Sequence, residues 1–216
     1  MKKYIFRGIE FSVKELETYI KGIKSKLKKD TLHSIIVSEN PKELIKHVNK
    51  LKSLQILSFD PGPKNFAYAI ISDKITTGMV LNPINILKDT DIFYSQIKAF
   101  SKEIKTIMSK IDYIIIERFT ARGRFGGFMS ECVNIMIGII ITRFIAGKVI
   151  LITAAQHKNF FKHTYSIKTA NFQNKVITKK IAVHEKDAIM IGFYFLFTMG
   201  YSRTLIKKMI ANYNRI

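Results

Sequence analysis

The hydrophobic pattern changes character near residue 53. Beyond it, residues 54–60 read as a strand whose Ile56, Leu57 and Phe59 are buried on both faces, and Pro61-Gly62-Pro63 follows as a rigid turn. Residues 67–72 and 75–81 read as two more strands after short turns, an antiparallel meander. Residues 91–110 carry the period of an amphipathic helix, and 113–117 form another strand. A helix over about 127–146 and a fifth strand over 148–153 come next, and the remainder is mostly helical. The pattern predicts an α/β domain over residues 53–216, a five-stranded mixed sheet flanked by helices. Ile56–Phe59 and Ile114–Ile116 do not alternate and are expected at its centre.

Residues 1–52 pattern differently. Ser12-Val13-Lys14-Glu15 has the form of a capping box opening a basic helix to about residue 29. Residues 31–38 are extended or irregular, and Asn40-Pro41 opens a second helix to 52, with proline at its first position. This predicts a small basic helical module that either contacts DNA or packs on the main domain.

The 216 residues are 47% hydrophobic and 12% aromatic, enough for a sizeable core, which excludes wholesale disorder. The apolar runs 133–145 and 188–199 are shorter than a membrane span, and Asn134 and Arg143 cut the first. The formal charge is +20, from 36 Lys and Arg against 16 Asp and Glu spread along the chain. Such a charge points to a polyanionic partner, nucleic acid first, although an AT-rich coding sequence also enriches lysine. Cys132 is alone, which excludes an internal disulfide or a cysteine-based zinc site and suits a reducing, intracellular compartment. The stretch MKKYIFRGIEF lacks the apolar run of a secretory leader.

In so basic a chain the placement of acids is informative. Asp60 ends the first central strand and Glu117 the next, so parallel pairing would bring both carboxylates out at one sheet edge. Val183-His184-Glu185-Lys186-Asp187-Ala188 opens an almost wholly apolar helix, with His184 and Asp187 on one of its faces. Three carboxylates and an imidazole suit Mg²⁺, and two such ions about 4 Å apart can activate water and stabilise a leaving oxygen in phosphodiester hydrolysis. Each residue also has an ordinary reading. Asp60 is a turn former, Glu117 and Arg118 make a surface pair, and His184 and Asp187 suit a helix N-terminus.

Here a family resemblance enters. "SFDPGPKNFAYAII", "YIIIERF" and "HEKDAIMIGFYF" resemble the three acidic motifs of RuvC-type Holliday-junction resolvases, which have a ribonuclease H-like fold. The match makes Asp60, Glu117, His184 and Asp187 the catalytic and metal-holding residues. "TAAQHKNFF" resembles the segment with a catalytic-site lysine, making Lys158 that residue. "GPKNFAY", which includes Lys64, and "ERFTARGRFGG" are similar to the mitochondrial and poxviral branch. The resemblance covers about residues 54–200. It implies two Mg²⁺ ions per site, with Mn²⁺ able to substitute, and a homodimer that resolves four-way DNA junctions by paired nicks leaving 5′-phosphate and 3′-hydroxyl ends. Lys64, the glycine-flanked Arg118, Arg122 and Arg124, and Lys175, Lys179 and Lys180 are the expected phosphate contacts. The helix over 127–146 is the interface candidate. Glu185-Lys186 departs from the family's small apolar residues, and Phe119, Phe125 and Phe128 do not align with its junction-stacking aromatics. His157 and His163 have no evident partner cluster. The rival readings are a flap- or fork-type nuclease on the same fold, and a catalytically silent junction-binding protein.

Overall fold

The structure is a computed structural model, and it describes residues 4–6, 9–11, 55–62, 64–72, 74–85, 89–118, 127–143, 149–199 and 201–215. Two short strands, β1 (Tyr4–Phe6) and β2 (Ile9–Phe11), pair antiparallel with Phe6 opposite Ile9. The pattern reading gave no strands there, although two short apolar runs around Arg7-Gly8 are a hairpin signal. The predicted helices within 12–52 lie outside the described residues.

The main sheet is built from β3 (Ile56–Asp60), β4 (Ala67–Ile71), β5 (Ile75–Met79), β6 (Tyr113–Arg118) and β7 (Val149–Thr153). Its order is β5-β4-β3-β6-β7. The β3-β4-β5 meander is antiparallel, whereas β6 and β7 join it in parallel. This is the expected five-stranded mixed sheet flanked by helices. Every residue of β3 is buried, as the lack of alternation predicted for a central strand.

Helices α1 (Thr90–Ile107) and α2 (Gly127–Arg143) cover one face. There Phe100, Ile104, Val133, Met136 and Ile140 pack against Leu57, Phe59, Ile114 and Ile116. Helix α1 starts one residue earlier than the pattern reading placed it, because Asp89 caps it by accepting from the Ile92 amide at 2.9 Å. The other face carries α3 (Ala154–Tyr165), α4 (Gln173–Val176), α5 (Val183–Thr198) and α6 (Arg203–Arg215). Helix α5 is apolar nearly all round because it lies between the sheet and the outer helices.

Two contacts seat α5 on the sheet. The Ser58 hydroxyl, inside the buried strand β3, donates to the Ala188 carbonyl at 2.6 Å and to the Ala69 carbonyl at 3.2 Å. Gly192 lets the helix approach, since a Cβ there would stand 2.9 Å from Ser58 Oγ and press on the Ile71 side chain. Both neighbours belong to the sheet and have little room to yield. Gly192→Ala should therefore destabilise the fold by roughly 1–3 kcal/mol through overpacking, despite alanine's better helix propensity. Denaturant unfolding checks this, and an unchanged or raised midpoint would show that α5 is not held this closely.

Candidate active site

Parallel register sets Phe59 beside Ile116, and Asp60 and Glu117 follow at one edge of the sheet. Alternation puts Asp60 on the same face as Ile56 and Ser58, and Glu117 on that of Ile115, beneath α5. The start of α5 then supplies the remaining members. Glu185 anchors this end, accepting from the Ala182 amide at 3.0 Å and from the Thr77 hydroxyl of β5 at 2.7 Å. His184 Nδ1 lies 2.8 Å from Asp60 Oδ2. Asp187, one turn on and buried, accepts from Gln173 Nε2 at 3.2 Å through Oδ2. Lys158 Nζ lies 3.9 Å from that same oxygen.

Lys158 owes its place to the beginning of α3. Thr153 caps that helix, and Gln156 closes the box by accepting from the Thr153 amide at 2.7 Å. The first turn then directs His157 inward, fully buried, and leaves Lys158 partly exposed beside the acids. His157 Nδ1 is 3.5 Å from Glu117 Oε2. This is not an ion pair, because burial, aided by the charge of Lys158, pushes the imidazole down to about 3 and keeps it neutral.

The carboxylates are crowded and poorly solvated. Burial first, then the charges of Asp60 and Asp187, push Glu117 up to about 7, against the opposing pull of Lys158 and His184. Burial likewise lifts Asp187 to about 6, with Asp60 adding to the rise while Lys158 and the Gln173 hydrogen bond oppose it. His184 moves upward chiefly through its hydrogen bond to Asp60. Among the described residues, Glu117 Oε2 and Asp187 Oδ1 are buried without a hydrogen-bond partner.

These features bear on whether a divalent cation fits. Three carboxylates and one imidazole are a suitable donor set, and two unpartnered carboxylate oxygens are the groups that an ion would satisfy. Among the described residues, however, no group of three or more His, Cys, Asp or Glu side chains already stands as an ion-holding cluster. The contacts give the reason. His184 is turned onto Asp60, and Lys158 and Gln173 both occupy Asp187 Oδ2. The donor set fits, and Glu117 Oε2 and Asp187 Oδ1 are the oxygens these contacts leave over.

Of the expected phosphate contacts, Lys64 is exposed just past the turn after Asp60, and Arg118 is exposed at the end of β6. Arg122 and Arg124, with Phe119 and Phe125, lie outside the described residues. Phe128 is at the start of α2, partly exposed. Lys175 and Lys180 are exposed on the segment that carries Gln173, and Lys179 lies 4.4 Å over the Tyr213 ring. The Glu185-Lys186 departure has a local cause. Glu185 caps α5 and bonds β5, while buried Lys186 donates to Asn174 Oδ1 at 2.8 Å, tying α5 to α4. Pattern reading passed over Gln173 and left His157 without a partner. A polar residue in the apolar-flanked run Phe172-Gln173-Asn174-Lys175-Val176 was the one available signal for the first.

No protein-family model and no curated protein matches the chain. Among solved structures it is similar to a Thermus thermophilus RuvC in complex with a Holliday junction substrate, at 13% identity and TM-score 0.48, covering 67% of this chain and 93% of that one. It is also similar to a second Thermus thermophilus RuvC structure, at 13% identity and TM-score 0.44, covering 69% of this chain and 99% of that one.

The raised acids give a pH test with a definite sign. Folding raises the Glu117 pKa, so the stability from its bound proton is present below the unfolded value and lost as pH rises through about 7. Glu117→Gln mimics the protonated form. Without added metal it should exceed the parent chain in stability by roughly 1–3 kcal/mol at pH 8, with the gap closing towards pH 4. Unfolding titrations at the two pH values measure this, and a gap independent of pH would remove Glu117 from the crowded cluster.

Proposed function

We propose that this chain is a divalent-metal-dependent endonuclease that hydrolyses DNA phosphodiesters at four-way junctions. One observation carries the reading: Asp60, Glu117, His184, Asp187 and Lys158 converge at one sheet edge in a chain of net charge +20. The motif resemblance to RuvC-type resolvases, in the mitochondrial and poxviral style, supports the junction as substrate.

Asp60, Glu117, His184 and Asp187 would hold two Mg²⁺ or Mn²⁺ ions, whose chemistry when bound is to activate water and stabilise a leaving oxygen. Asp60 would be central to that set, since it contacts His184 and its charge raises the pKa of both Glu117 and Asp187. His184 keeps or yields its proton according to whether Asp60 accepts from it, because that bond raises its pKa. Gln173 and Lys158 hold Asp187 by Oδ2 and leave Oδ1 free. Lys158 also sets a cation beside the acids, where a phosphate in reaction gains negative charge.

Paired nicks in opposed strands call for two copies related by a two-fold axis. Helix α2 suits the interface. Phe128 and Ile141 are each 40% exposed along it, and Leu151 on edge strand β7 is 48% exposed. Val149 packs into the α1–α2 cluster, so Leu151, two residues on, faces the same side and extends that apolar surface. Ile141→Glu should shift the sedimentation of the protein towards the monomer and convert paired cuts to single nicks. A dimer that survives with paired cutting would move the interface elsewhere.

One observation favours a catalytically silent junction binder: His184 is turned onto Asp60, and Lys158 and Gln173 onto Asp187. Incubation of synthetic four-way junctions with Mg²⁺ separates the two readings. The parent chain should nick them, and Asp60→Asn or Asp187→Asn should lower the rate at least about 100-fold with folding retained. Full cleavage by Asp60→Asn would refute the assignment, absence of metal-dependent nicking would favour the silent binder, and equal cutting of flaps and forks would favour the broader nuclease.

A further inference from the structure

The helical layer over the α5 face carries a charge imbalance that the acid cluster does not use. From residue 154 onward there are 11 Lys and Arg residues and two acids, Glu185 and Asp187. Both acids are already engaged, Glu185 with Ala182 and Thr77, and Asp187 with Gln173 and Lys158. Lys158 and Lys162 share one face of α3 with Tyr165, and Lys207 of α6 meets the Tyr165 ring.

Lys158 begins that path beside Asp187. Lys162 follows one turn later on the same face of α3, about 6 Å along the axis, and Tyr165 ends the face about 10 Å from Lys158. Lys207 of α6 lies over the Tyr165 ring, 5.3 Å from its centre. Arg203, one turn before Lys207, lies 5.7 Å from both the Phe160 and Phe197 rings. Lys162 stands 5.5 Å from the centre of the Phe172 ring. These rings restrict where the cations can go without cancelling their charge. Among the described residues, none of Lys162, Arg203 and Lys207 has a carboxylate within ion-pair distance.

We propose that Lys162, Lys207 and Arg203 form a phosphate track that holds a duplex DNA arm running from the acid cluster across α3 to α6. This rests on the nucleic-acid reading above and adds the course of the flanking duplex. The α3 part of the track spans about 10 Å, roughly three rises along a duplex axis, which is long enough for its cations to meet successive phosphates. Ammonium and guanidinium groups that meet only phosphates position DNA and read no sequence. A bilayer surface fits less well, because among the described residues Val183 is the one exposed large apolar side chain of this layer.

The test is binding of a plain DNA duplex to the full chain, with chelator present so that no strand is cut, over about 50–200 mM salt. The variant Lys162→Gln/Arg203→Gln/Lys207→Gln is compared with a charge-matched control on the opposite layer, Lys98→Gln/Lys102→Gln/Lys105→Gln of α1. The track variant should lower the slope of log affinity against log salt by about 0.9 per lost contact, up to about 2.7, while the control keeps the parent slope. No change, or equal changes in both variants, overturns the track. Lysine acetylation of the unaltered protein provides a second measure that needs no variant to fold. Lys162 and Lys207 should be protected by duplex, and equal modification with and without DNA overturns the track. Phosphatidylserine vesicles that protect these lysines better than duplex does would also overturn it, in favour of a membrane. The two readings fail separately. A chain that cuts junctions but binds duplex independently of these residues loses only the track, whereas protected lysines in a chain that never cuts leave the track standing and remove the nuclease.

Discussion

Two carboxylates at the ends of neighbouring parallel strands cannot avoid one another. Asp60 and Glu117 follow a register fixed by Ile56, Leu57 and Phe59 against Tyr113, Ile114 and Ile116, and the hydrophobic core beneath them sets that register. A slip of one residue would turn every apolar side chain of β3 to the wrong face, so the core does not yield to relieve the repulsion. Helix α5, seated by Ser58 and Gly192, adds a third carboxylate in Asp187. Much of the surrounding chemistry answers this crowding. Glu117 and Asp187 hold protons more tightly than free carboxylates, His184 donates towards Asp60, and Lys158 and Gln173 take one side of Asp187.

That local answer sits inside a global contradiction. A net charge of +20 draws a polyanion to the molecule, while the acid cluster would repel the phosphate delivered to it. Lys158 offsets only part of that repulsion, and its 3.9 Å contact is with Asp187 alone. On the proposed function a divalent cation would reconcile the two fields, and Glu117 Oε2 and Asp187 Oδ1 are the groups it would satisfy. Hydrogen bonds to His184 and Gln173 meanwhile engage one oxygen each of Asp60 and Asp187.

Much of this was legible in the sequence because it follows from local rules. The unbroken apolar runs of β3 and β6 mark central strands, and the turn chemistry of Pro61-Gly62 marks where Asp60 must emerge. His184 and Asp187 were readable from their three-residue spacing on an apolar helix. What escaped depends on pairing across distance. Nothing local to His157 says that the turn set by Thr153 and Gln156 will press it against Glu117, 40 positions earlier in sequence. Gln173 acts from a four-residue helix too short to carry a periodic signal. Glu185 and Lys186 looked like intrusions in an apolar motif until Thr77 and Asn174 appeared as their partners. Secondary structure and the spacing of the acids along it are local facts, whereas the residues that orient those acids are facts of the tertiary fold.

The same distinction separates the two sides of the sheet. The α1–α2 side mixes its charges, with Asp89 capping α1 and Glu103 binding the Leu81 and Asn82 amides, so its acids serve the backbone. The α3–α6 side has almost none to spare, and several of its cations lie over aromatic rings, as Lys98 of α1 does over Tyr94 on the other side. A ring orients a cation and leaves its charge unscreened, whereas a carboxylate would orient it and cancel the field. Helices α3 and α5, which carry Lys158, His184 and Asp187, belong to this uncompensated side. Strands β3 and β6 turn Asp60 and Glu117 towards it as well. Uncompensated cations therefore lie on the same side of the sheet as the acids, and on the proposed function a phosphate backbone would meet them before the carboxylates.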